Sequence, residues 1–230
     1  MTLQNRVDPY GELRAVPERG TLMGNRGILH DASRRIVARW RSRRWITCVL
    51  SFKGIRRQVF APHRYSELFF LDEATSLAAG HRPCAECQRG RFEEFCAAWA
   101  GKRSRPGRRP GRRADAIDRV LHAERVREGG GKNSYEALLS SLPSGTMVER
   151  EGRPYLYWKG VLYPWSFTGY GGSIAPDPTS KVKVLTPRSA VRAIRAGFVP
   201  QVHPSAAEGT RREVVPRKAG RRQQLRSRRP

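Results

Sequence analysis

Hydrophobic residues in this chain fall into short blocks with two periods. Residues 45–52, Trp-Ile-Thr-Cys-Val-Leu-Ser-Phe, form a run rich in β-branched and aromatic side chains, and Lys53-Gly54 followed by Gln58-Val59-Phe60 reads as a turn and a partner strand. The spacing then lengthens. Asp72 is placed to cap a short helix carrying Ala74, Leu77 and Ala78 on one side and stopped by Gly80, and Phe92, Phe95, Cys96 and Trp99 repeat at i, i+3, i+4 and i+7. Two helices therefore flank residues 81–87. The glycines at 20, 24 and 27 mark a loop, because the stretch lacks the Gly-Lys-Ser/Thr ending of a phosphate-binding loop.

Further along, Ile117, Val120 and Leu121 place a helix over 115–127, and residues 134–142 give a weaker helical pattern. Residues 149–165 alternate Tyr, Val, Leu and Trp around Glu151-Gly152 and Lys159-Gly160, which predicts a three-stranded meander. A strand over 182–185 follows, and Thr186-Pro187 supplies a cap and first-turn proline to a helix closed near Gly197. The fold class expected is α+β. A small antiparallel sheet with short helices surrounds a metal site in residues 1–100, and a second meander-and-helix unit occupies 114–205. Residues 101–113 hold seven cations and no acid among repeated Gly and Pro, and are expected to form a flexible basic linker; residues 206–230 are expected to be a disordered basic tail.

Charge sharpens this picture. The 230 residues carry 45 Lys and Arg against 20 acids, a formal charge of +25, and +11 remains when linker and tail are set aside. Such a field attracts polyanions and makes nucleic acid the expected partner, DNA ahead of RNA, although an Arg excess with Ala, Gly and Pro is also what a GC-rich genome produces. No apolar stretch approaches the roughly 20 residues needed to cross a bilayer, and the N-terminus has no apolar leader, so a cytoplasmic, membrane-free protein is expected.

Four cysteines suit metal or redox chemistry better than a disulfide framework. Within Gly80-His81-Arg82-Pro83-Cys84-Ala85-Glu86-Cys87, two thiolates at a tight turn can bind one Zn²⁺. A thioredoxin-type motif would instead open a helix directly after a buried strand, and incidental cysteines are the plain alternative. Residues 67–87, ELFFLDEATSLAAGHRPCAEC, resemble the second half of the zinc-binding domain of the Ada-type DNA methylphosphotriester repair proteins. In that family a Phe-Phe pair, a short Ala-rich helix and Gly-x-Arg-Pro-Cys-x-x-Cys recur. The resemblance implies that Cys84 and Cys87 are zinc ligands. It also implies that Cys48, ending the strand that begins at Trp45, is the metal-bound thiolate that accepts a methyl group. Where the family has a second cysteine four residues later, this chain has Phe52. The fourth ligand is then sought among His30, His63 and His81, with His30 preferred because Asp31 beside it offers a supporting partner. Cys96, on an apolar helix face, reads as core.

The second half offers two features for nucleic acid. Arg188, Arg192 and Arg195 share one side of a helix and can follow phosphates, with an ordinary solvated face as the alternative. Seven of the chain's 20 aromatic residues fall within 155–170, a density that suits base stacking or, by strand alternation, a core. His122 and Glu124 stand two apart on a helix and cannot share a site. No His-Glu-x-x-His, no Gly-x-Ser-x-Gly and no paired carboxylate cluster of the catalytic kind is present. The expected function is zinc-stabilised DNA binding in damage recognition or repair; the alternatives are a zinc-thiolate alkyl acceptor and an RNA-binding or ribosome-associated module.

Overall fold

A computed structural model describes residues 2–55, 58–101, 110–127 and 130–208. Its first six-stranded sheet is built from β1 (Arg6–Val7), β2 (Leu13–Arg14), β3 (Leu22–Asn25), β4 (Ile46–Cys48), β5 (Leu68–Phe70) and β6 (Arg82–Pro83), in the order β2-β1-β5-β3-β4-β6. Helix α1 (Glu73–Ala78) separates β5 from β6, and α2 (Arg89–Ala100) and α3 (Pro110–Arg125) follow. A second six-stranded sheet takes β7 (Tyr135–Leu138), β8 (Thr146–Arg150), β9 (Arg153–Trp158), β10 (Val161–Ser166), β11 (Gly169–Tyr170) and β12 (Lys181–Val184), in the order β11-β10-β9-β8-β12-β7. Helices α4 (Arg188–Arg195) and α5 (Ser205–Glu208) close the described chain. The α+β class expected from the pattern is what the chain forms.

The first sheet is not purely antiparallel, since β1 pairs parallel with β5 and β4 parallel with β6. Lys53-Gly54 does make a turn, but 58–60 is no partner strand. Both sides of β4 are occupied, by β3 and by β6, and Phe60 turns inward at a positive φ to stack on His30. The glycine-bearing segment read as a loop supplies β3 instead. Gly24 is required there, because a Cβ would stand 2.4 Å from the Ile46 carbonyl oxygen.

Asp72 caps α1 through its carboxylate, which accepts the Thr75 N–H at 2.8 Å. The meander turns at Glu151-Gly152 and Lys159-Gly160 as expected. Residues 134–142 are a strand and a 3-10 turn rather than a helix: β12 offers its open edge, and Tyr135–Leu138 pairs along it. Thr186 does not cap α4; its hydroxyl accepts the Met147 N–H. Glu124 of α3 takes that place, accepting both the backbone N–H and the hydroxyl of Ser189. Part of the predicted linker is helical, since α3 begins at Pro110, where a proline's missing N–H is harmless. Residues 102–109 lie outside the described residues, as does most of the predicted tail; Ala206, at its start, is buried in α5.

The two sequence units share their interior. Leu77, Phe92, Phe95 and Cys96 from the first pack with Ile117, Leu121, Ile194 and Phe198 from the second, and Leu71, Ala74 and Ala78 pack against Met147, Leu156 and Tyr170. Polar ties reinforce the seam. Asp72 also accepts the Tyr170 hydroxyl and the His203 N–H, Glu73 accepts the Gln201 N–H and pairs with Arg91, and Trp165 donates to the Thr75 hydroxyl. Deepest of these is a bidentate ion pair, Arg82 Nε to Asp118 Oδ1 at 2.8 Å and Nη2 to Oδ2 at 2.7 Å, with both side chains 3 % exposed. Removing one partner leaves the other as a buried, unpaired charge. Asp118→Ala is therefore expected to lower unfolding free energy by about 3–5 kcal/mol in chemical denaturation. Because the halves share one core, the wild-type chain should unfold in a single transition, and two resolved transitions in the wild type would contradict the shared core.

Candidate metal centre

The parallel pairing of β4 with β6 builds the site. Arg82 N–H donates to the Trp45 carbonyl and Cys84 N–H to the Thr47 carbonyl, at 3.1 and 2.9 Å, so Cys84 is held beside Cys48 although 36 residues separate them in the chain. Gln88 fastens the same strand by donating its side-chain amide to the Thr47 carbonyl at 2.7 Å. The turn at 84–87 leads into α2 and brings Cys87 around to the other two. The three sulfur atoms all lie within 4.8 Å of one another.

That grouping can hold a metal ion. Tetrahedral coordination with metal–sulfur bonds of about 2.3 Å places sulfurs about 3.8 Å apart, within reach of this cluster by small side-chain rotations. Cys48 and Cys84 are each 7 % exposed, Cys87 is half-buried, and Met23, Ile46, Tyr65 and Phe69 close around them. The Glu86 N–H points at the Cys84 sulfur from 3.4 Å. Hydrogen bonds with Cys48 and then Cys87 pull the Cys84 thiol well below the usual thiol range, while its contacts with Cys84 and then Cys87 hold Cys48 well above it. A cation among the three sulfurs would favour their ionised forms.

The structure thus brings together Cys48, Cys84 and Cys87, three of the four residues expected to be ligands, and does not bring His30 to them. His30 is committed elsewhere. Its Nδ1 lies 2.6 Å from the Ser66 hydroxyl and its Nε2 3.3 Å from the Ala61 carbonyl, and its ring stacks on Phe60 at 4.5 Å. The Ala61 carbonyl can only accept, so Nε2 carries the hydrogen there; in the neutral ring Nδ1 then accepts from the Ser66 hydroxyl, whose oxygen in turn accepts the Leu29 N–H. Asp31 pairs with Arg35 rather than with the histidine. Of the other candidates, His63 is exposed and His81 is buried, accepting a hydrogen bond from Arg26 Nε. Cys96 lies in the helical core.

Arg188, Arg192 and Arg195 are exposed along α4, with Arg188 over the Tyr135 ring at 3.7 Å, Arg192 over Trp99 at 5.7 Å and Arg195 donating to the Ser141 carbonyl. In the aromatic run Tyr155, Tyr163 and Tyr170 are buried and Tyr157, Trp158, Trp165 and Phe167 half-buried, so much of it serves the core. His122 and Glu124 go to separate tasks, the first edge-on to Trp40 and the second capping α4. A basic feature passed over in the sequence is the loop from β3 to β4. There Arg34, Arg35, Arg39, Arg41, Arg43 and Arg44 fall within eleven residues, together with Trp40. Only three of the six make ion pairs among the described residues. The signal was legible as an Arg run around a tryptophan, but its irregular spacing matched no helix or strand template.

Comparison of the chain with protein-family models, curated proteins and solved structures finds no match.

Metal analysis of the purified chain should find one ion per molecule. Cys48→Ser, Cys84→Ser and Cys87→Ser should each release it, whereas Cys96→Ser and His30→Ala should retain it. Acidification should displace the ion as protons compete for the sulfurs. Metal-free protein whose melting is indifferent to chelator would contradict the assignment.

Proposed function

We propose that the chain is a zinc-stabilised DNA-binding protein whose setting is damage recognition or repair. The observation that carries this reading is the convergence of Cys48, Cys84 and Cys87. Soft thiolates in a compact cluster suit Zn²⁺, and the Ada-type resemblance of residues 67–87 leads to the same ion by a separate route. Bound there, zinc would clip β4 to the turn before α2, two segments that otherwise meet through backbone hydrogen bonds and a small apolar cluster. The formal charge of +25 and the arginine-rich loop at 34–44 supply phosphate contacts, and Trp40, 37 % exposed within that loop, offers a ring to an unpaired base. Arg188, Arg192 and Arg195 extend the cationic surface along α4. Among the described residues no helix is long and apolar enough to cross a membrane.

A second reading, a zinc-thiolate acceptor of alkyl groups from DNA phosphotriesters, is favoured by one observation. No fourth Cys, His, Asp or Glu joins the thiols among the described residues, and a three-ligand zinc keeps a position for water or substrate. The burial of Cys48 weighs against it, because an acceptor thiolate must meet the phosphotriester directly.

Affinity for duplex DNA should fall with salt at a log–log slope of roughly −0.9 per phosphate neutralised, and the double variant Arg41→Ser/Arg43→Ser should make that slope shallower by about 0.9 for each phosphate left unneutralised. Salt-independent binding would overturn the DNA reading, and an RNA competitor that displaces duplex DNA selectively would favour the RNA alternative. Incubation with methylphosphotriester DNA should leave the Cys48 peptide at its original mass; a gain of one methyl would establish the acceptor reading instead.

A further inference from the structure

Apart from the thiols, the chain encloses an unusual concentration of cations. A cavity of about 200 Å³ has Arg26, Arg125 and Lys132 in its wall, with Arg39, Glu12 and Trp40 beside them. Arg26 and Arg125 are each 2 % exposed, and both guanidinium carbons lie 4.0 Å from the centroid of the Trp45 ring. Backbone carbonyls take part of their hydrogen bonding: Gly11 accepts from Arg26, Gly80 and Arg43 from Arg125, and Ala78 from Lys132. Arg26 Nη2 and Arg125 Nε find no hydrogen-bond acceptor among the described residues.

None of the three cations forms an ion pair among the described residues. The carboxylates that act on them at longer range are already engaged, Asp8 with Arg14, Glu12 with Arg39 and Asp118 with Arg82. Burial, followed by the other cations nearby, pushes Lys132 down to about 7; burial above all pushes Arg26 and Arg125 down to about 9. The two buried guanidinium charges, with Lys132 half-buried beside them, are strongly unfavourable unless something of opposite sign meets them.

We infer that this cavity is a binding site for the phosphoryl group of a phosphate monoester. Three unpaired cations outnumber what a single carboxylate can neutralise, whereas a monoester brings nearly two negative charges and three acceptor oxygens. The unsatisfied guanidinium N–H groups and the lysine ammonium are donors suited to those oxygens. Leu13, Ile36 and Trp40 on the same wall give the esterified group an apolar surface. The source of the phosphoryl group is a small phosphorylated molecule or the 5′-phosphate of a nucleic-acid strand, which present the same chemistry. This inference requires neither a metal nor duplex DNA binding.

The test is calorimetric titration of the full chain with inorganic phosphate, a 5′-mononucleotide and a short 5′-phosphorylated oligonucleotide with its dephosphorylated counterpart, all at matched ionic strength. Saturable binding of the mononucleotide is expected, weakened at least about tenfold in Lys132→Met by removal of one charge-assisted hydrogen bond. Glu12→Gln, a change at a part-exposed side chain that folding tolerates, should tighten binding about threefold by removing a carboxylate from the wall. A phosphorylated strand that binds tighter than the mononucleotide, and loses that advantage on dephosphorylation, identifies the strand end as the source; a mononucleotide that binds at least as tightly identifies a small molecule. Absence of saturable binding by all the phosphorylated ligands up to about 10 mM, or binding indifferent to both substitutions, would overturn the proposal.

Discussion

The buried pair of Arg82 and Asp118 is the constraint on which the arrangement depends. Arg82 belongs to β6, so its backbone sets the strand beside β4, and two residues later the same segment delivers Cys84. Its side chain reaches the other way, past the Phe92 ring, to a carboxylate on α3. Docking of the second half and alignment of the thiols are therefore one geometric problem. Neither can shift without disturbing a fork of two short hydrogen bonds shut away from solvent.

Close by, the chain approaches itself tightly enough that side-chain size becomes decisive. Gly80 follows α1 at a positive φ, and a Cβ there would stand 2.5 Å from Arg125 Cδ. The bare backbone lets the Arg125 stem cross the end of α1 and present its guanidinium to the Gly80 and Arg43 carbonyls and to the Trp45 ring. Two kinds of arginine result. Those at 34–44 remain in contact with water, where their charge sets long-range attraction, while Arg26, Arg82 and Arg125 are buried, their planar groups donating to His81, to Asp118 and to backbone carbonyls.

Much from α2 onward was legible because its signals are local. Alternation together with the Glu151-Gly152 and Lys159-Gly160 turns was enough to place the β8–β10 meander, and a 3.6-residue period was enough for α2 and α3. Readings failed where a distant partner decided the outcome. Tyr135–Leu138 has a helical pattern but meets the open edge of β12, and residues 58–60 resemble a strand but find both edges of β4 taken. In the candidate site, the C-x-x-C was visible from spacing and Cys48 from its resemblance-bearing strand. His30 was chosen from its neighbour Asp31, and nothing in the sequence announced that Ser66, Ala61 and Phe60 would claim its ring. The cationic cavity was equally invisible, since its members come from residues 26, 125 and 132 and no motif joins them.

The capping of α1 sets an order of events for the growing chain. Asp72 and Glu73 sit at the start of a six-residue helix, too short to persist alone, and the partners that satisfy their carboxylates include Tyr170, Gln201 and His203, about a hundred residues or more downstream. Until that segment has left the ribosome, two carboxylates destined for the interior must stay hydrated, and the apolar side of α1 lacks the second sheet that covers it. The N-terminal half is thus a nascent domain in waiting rather than an early folding unit. Contacts of such long sequence separation favour slow closure, because the loop entropy must be met before the partners reward it.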